Sequence, residues 1–141
     1  MGESMNASED YSDIPGTYLF NIKACVKGYA LNRFCGSLMK EENRHEFLAN
    51  EEVYLSRYAL TVKQRRAVLD RNWLLMIQEG GNICFVAKLG ATCGLSLEDL
   101  AASMSGMTKA DYRRMMLSGG RPIEGNRGKA EQEAFVETGT F

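Results

Sequence analysis

Proline occurs only at Pro15 and Pro122, so the long stretch between them lacks the residue that most reliably breaks a helix. Helical patterns recur throughout that stretch, and strand signals are poor. In "YALNRFCGSLMK" the apolar residues Leu31, Phe34, Cys35, Leu38 and Met39 fall at i, i+3, i+4, i+7 and i+8. This is one stripe of an amphipathic helix, predicted from near Gly28 to Glu42. "NRHEFL" reads as a short turn of helix. A second short helix follows Asn50, which caps it with Glu51 and Glu52 in the first turn.

Thr61 is an N-cap, and Gln64 three residues later completes a capping box. The helix it opens carries Val62, Val68, Leu69, Trp73, Met76 and Ile77. Gly80 or Gly81 fits the left-handed position at which such helices stop. Asn82 then caps "ICFVAKLG", whose Ile83, Val86 and Leu89 share a face. Ser96 with Asp99, and Thr108 with Asp111, repeat the pattern of a capping hydroxyl and an acid three residues on. The helix opened by Thr108 ends at Gly119-Gly120. The expected fold is therefore all-α, a single small domain of about six helices joined by short loops. That domain is expected over 13–120, after a flexible N-terminus (1–12) and before an extended tail (121–141).

Composition narrows the function. A chain of 141 residues with a net charge of −1 is long enough for one core and has no global basic field to attract nucleic acid. No apolar run approaches the length that spans a bilayer. Met1 to Asp10 lacks the features of a signal peptide, so a cytoplasmic protein is expected. The four cysteines are scattered, without a C-x-x-C pair, and predict no disulfide framework. Cys35 and Cys84 are expected to be buried small hydrophobes, and Cys93 is the one expected at the surface.

Catalytic patterns are missing. The single histidine, His45, cannot build a facial iron triad or a zinc site within one chain, and beside Glu42 and Glu46 it reads as a solvated residue. There is no G-x-S-x-G, no Walker loop and no G-x-G-x-x-G. A helix-turn-helix would suit the glycine corner, but "NICFVAKL" offers only Lys88 to bases. The basic group Lys63, Arg65 and Arg66, with Arg71, reads as a solvated face. No catalytic residue is expected in this chain. Met104, Met107, Met115 and Met116 suit a core or an adaptable contact surface.

Five segments, in order and with matching spacing, carry a family resemblance: "DIPGT", "KGYALNRFCGSLMKEENRHEFLANEEVYL", "MIQEGGNICFVAKL", "SMSGMT" and "GGRPIEGNR". Over Asp13 to Arg127 the chain resembles the small alpha (LigA-type) subunit of protocatechuate 4,5-dioxygenase, a type II extradiol dioxygenase. The resemblance implies a heteromer, α2β2 or similar, that opens a dihydroxylated aromatic ring with O₂. It implies that the non-haem Fe(II) and the acid–base histidine belong to the larger catalytic beta subunit, over whose active site this chain helps to close. It places Ala91 to Glu98, and Ser96 and Leu97 in particular, nearest the aromatic substrate. The family pattern has an aromatic residue where this chain has Leu97, which implies a wider pocket or a different ring substituent, with gallate or a methylated gallate as relatives of protocatechuate. From a different class, the alternative is a free-standing helical interaction or regulatory module, DNA binding included.

Overall fold

The computed structural model describes residues 17–121. The expectations for 1–12, and for the tail from 122 onward, lie outside them. Among the described residues there are nine α-helices and no strand: α1 (Ile22–Lys27), α2 (Tyr29–Ser37), α3 (Glu41–Ala49), α4 (Glu51–Leu55), α5 (Val62–Leu69), α6 (Trp73–Gln78), α7 (Ile83–Thr92), α8 (Leu97–Met104) and α9 (Lys109–Leu117). None is long and apolar enough to cross a membrane. Phe20–Arg113 forms one compact unit, and the described residues 17–19 and 114–121 fall outside it.

The helices outnumber the sequence expectation because two predicted long helices are broken and α1 was not anticipated. The Gly28–Glu42 stripe ends at Ser37. Side chains of the next helix stitch this break: Asn43 Nδ2 donates to the Ser37 carbonyl at 2.7 Å, and Arg44 Nη1 donates to the Leu38 and Met39 carbonyls at 2.9 Å. These are carbonyls that the end of α2 leaves without helical partners. Leu31, Phe34, Cys35 and Leu38 are buried as the stripe requires, but Met39, past the break, is 68% exposed.

The second break, at Asp70-Arg71-Asn72, separates α5 from α6. The Asn72 amide bonds to Ala67 O and the Arg71 amide to Val68 O. That pair is a Schellman closure, and it requires a left-handed residue, here Arg71 at φ +53°. Asn72 then caps α6 by accepting from the Leu75 amide.

The core centres on Phe34, whose ring lies 5.2 Å from that of Phe47, 6.0 Å from Tyr54 and 5.7 Å from Tyr58. Tilted and edge-on aromatic packing of this kind adds to simple burial. Leu31, Leu55, Val68, Trp73, Met76, Val86, Leu89 and Leu100 complete it. Tyr54 keeps its hydroxyl hydrogen-bonded to Ser37 Oγ at 2.7 Å. Of the cysteines, Cys35 is buried, and burial pushes its thiol up to about 12. Cys84 is exposed, contrary to expectation, because α7 turns that face outward; Cys25 is exposed as well, and Cys93 is only half-buried.

Candidate functional site

The glycine corner between α6 and α7 is built from backbone contacts. The Gly81 amide donates to Met76 O at 2.8 Å and the Gly80 amide to Ile77 O at 3.2 Å, so α6 ends in a Schellman closure. The left-handed residue is Gly80, at φ +92°, and Gly81 does not have positive φ. Gly81 has a different constraint, since a Cβ there would lie 2.7 Å from Met76 O. Asn82 accepts from the Cys84 amide and starts α7.

Gly28, where α1 meets α2, presses directly on this corner. A Cβ on Gly28 would lie 1.8 Å from the Gly80 oxygen, although its own φ of −93° suits any residue. Two buried amide side chains fasten the joint. Asn32 donates to Gly80 O at 3.0 Å and accepts from the Asn82 amide at 2.8 Å. Gln64 donates to Lys27 O at 2.9 Å and Glu79 O at 3.0 Å, while its Oε1 accepts from the Thr61 amide in the capping box. Lys27 adds an ion pair to Glu79 at 3.3 Å. Backbone polar groups that burial would otherwise leave without partners are thereby satisfied.

Downstream, α7 continues to Thr92 and α8 begins at Leu97, so the irregular part of the expected Ala91–Glu98 connection is only Cys93 to Ser96. The Leu95 amide donates to Gly90 O and the Gly94 amide to Ala91 O, closing α7 on Gly94. Ser96 is committed to the capping box: its Oγ accepts from the Asp99 amide and donates to Asp99 Oδ2 at 2.8 Å. The Ser96 amide donates to Asp99 Oδ2 at 2.8 Å, and this bond, with Lys109 at 3.0 Å and the Ser96 hydroxyl, pulls the Asp99 carboxyl down to about 2. Arg113 holds the neighbouring Glu98 with two bonds, 2.9 and 2.6 Å. Leu97 points outward, 59% exposed, and Leu95 is also exposed. The connection thus offers apolar surface on a rigid cap, while the Ser96 hydroxyl is engaged with Asp99.

Among the described residues no three of His, Cys, Asp and Glu lie together in a way that could hold a metal ion. His45 stands exposed on α3 with Glu41 3.9 Å away. The Cys93 thiol is pushed up by burial, with Arg71 offsetting part of that, so it stays protonated at neutral pH.

One cluster escaped the sequence reading. Arg71, expected on a solvated face, is partly buried and pairs with Glu51 through both terminal guanidinium nitrogens, the bond from Nη1 measuring 3.0 Å. It also donates to Val68 O at 2.7 Å and lies over the Phe47 ring, 5.6 Å from the centroid. Only the rarity of a non-glycine residue in this conformation marks it, and that is invisible before the helix break is known.

Residues 31–117 match the family model described as "Aromatic-ring-opening dioxygenase LigAB, LigA subunit". A gallate dioxygenase from Pseudomonas putida is 29% identical over 101 residues, which is 72% of this chain but 30% of the relative. The chain therefore spans less than a third of that protein's length.

Proposed function

This chain belongs to the LigA-subunit family of LigAB aromatic-ring-opening dioxygenases, and from that membership we propose that it is the non-catalytic small subunit of an Fe(II)-dependent extradiol enzyme. The substrate is protocatechuate or a related catecholic acid such as gallate. The observation that carries this reading is the family match, which covers α3 through α9 entire and most of α2. The name of the gallate dioxygenase relative supports the substrate class.

Most of that relative's length has no counterpart here, and the reading assigns the iron and the acid–base histidine to a separate beta subunit. The donor set of this chain agrees: one exposed histidine on α3 does not fit an iron site. Bound in the partner, Fe(II) supplies the centre at which the catecholic hydroxyls and O₂ meet. This chain's share is positional. The capped connection from Cys93 to Ser96 presents Leu97 toward the ring and keeps water from the reacting face. Leu97, rather than Ser96, is the residue that touches substrate, because the Ser96 hydroxyl is already paired with Asp99.

Co-expression with the large subunit, followed by a screen of catechols for O₂ uptake and a yellow ring-fission product, tests the reading. The complex is expected to turn over at least one of protocatechuate and gallate, and the purified chain alone to hold no iron and turn over neither. Iron-dependent turnover by the chain alone, or a stable complex inert toward every catechol, overturns it.

A further inference from the structure

Four other helix ends in the described residues close with the same pair of bonds as α5. The left-handed position is Gly80 after α6, Gly94 after α7, Gly106 after α8 and Gly119 after α9. After α5 it is held by a side-chain-bearing residue, Arg71 at φ +53°. For such a residue that conformation costs a factor of about 5 to 30 in the folding equilibrium, which glycine would not incur. The arginine side chain must therefore return more than the strain it brings.

The return comes from α4. Glu51 opens that helix, and the Arg71 fork takes both of its carboxylate oxygens. Nη1 also holds the Val68 carbonyl at the end of α5, and the guanidinium covers the face of Phe47 on α3. Arg65 joins from the same side, donating to the Glu52 carbonyl at 3.4 Å. The basic group of α5 and its turn therefore divides: Lys63 and Arg66 stay exposed, while Arg65 and Arg71 face the first turn of α4. The Arg71 and Glu51 side chains are each only 27% exposed, which separates this bidentate pair from the surface ion pairs that contribute nothing measurable. A lysine could supply the charge but not the planar fork that meets Glu51 twice.

We propose that Arg71 and Glu51 form a clamp that sets the α5–α6 turn against the α3–α4 pair of helices, and that position 71 forgoes glycine for its sake. The clamp depends on no substrate and no partner.

Arg71→Gly is the informative variant, because it relieves the backbone while deleting the fork. If backbone conformation alone governed this position, glycine would raise the folding constant of the full-length chain, read from urea unfolding. The clamp predicts the opposite sign, a fall of about tenfold. Glu51→Gln leaves the backbone untouched and should lower the constant by about fivefold or more; it keeps the proposal testable if the glycine variant does not fold. Combined, the two substitutions should cost less than the product of their separate effects, by about fivefold. Arg71→Lys should recover only part of the loss. In native-state amide exchange, Tyr54 and Asn72, on the two sides of the clamp, should accelerate by about tenfold in either single variant, and Leu89 in α7 by less. A glycine variant at least as stable as the unsubstituted chain, a neutral Glu51→Gln, or separate effects that simply multiply would each overturn the proposal.

Discussion

Asn32 closes the α6–α7 corner from both sides, donating to Gly80 O and accepting from the Asn82 amide. Asn32→Ala strands a buried carbonyl and an amide at once, and unmade bonds of this kind cost about 1–3 kcal/mol each. Urea unfolding of the full chain should therefore show a stability lower by that order, read as a lower midpoint without a change of slope. An unmoved midpoint would mean that water replaces the amide and that Gly28, Gln64 and the Lys27–Glu79 pair suffice to hold the corner. The glycines of this corner and the cap at Asn82 could be read from sequence, because their signals are local. Asn32 could not: in "YALNRFCGS" it is one polar letter beside an apolar stripe, and its partners lie 48 and 50 residues away. Arg71 was misread for a similar reason. Its charge suggests solvent, and only its position at a left-handed helix end explains its burial.

Helix starts were legible and helix breaks were not. The boxes at Thr61–Gln64 and Ser96–Asp99 stand where the spacing puts them, since a cap needs only neighbours within one turn. The α2–α3 and α5–α6 breaks carry neither glycine nor proline at the turn, and are set by Asn43, Arg44 and Arg71 reaching back to carbonyls. At α8 the cap makes a pH prediction. Asp99 has its carboxyl drawn from 3.8 to about 2 in the folded chain, so its contribution is complete above the unfolded value and is lost as pH falls through the folded one. Asp99→Asn should lower the melting temperature at pH 7, and the gap to the unsubstituted chain should close between about pH 4 and pH 2. A gap that persists at pH 2 would trace the loss to packing rather than to the carboxylate.

For the whole molecule, the all-α architecture followed from periodicity and the placement of proline, and the family followed from five short segments in register. The joint between the α1–α2 and α6–α7 corners was beyond sequence reading, since Asn32 and Gln64 bond there to residues far away in the chain. In the complex proposed above, Leu97→Phe introduces the aromatic residue that the resemblance implies at this position. It should change the ratio of kcat/KM for protocatechuate to that for gallate by about tenfold, the scale of a change of a few carbon atoms in a pocket wall. Identical ratios would remove Leu97 from the substrate's surroundings. The joint between Gly28 and Gly80 has a different bearing on how such a subunit can vary. Two stretches of main chain touch there with no side chain between them, so the contact has no part that can be trimmed or enlarged by small steps. Divergence in this protein can proceed through Leu97 or the exposed helix faces while position 28 stays fixed, because the smallest possible change there already requires the two chain segments to part.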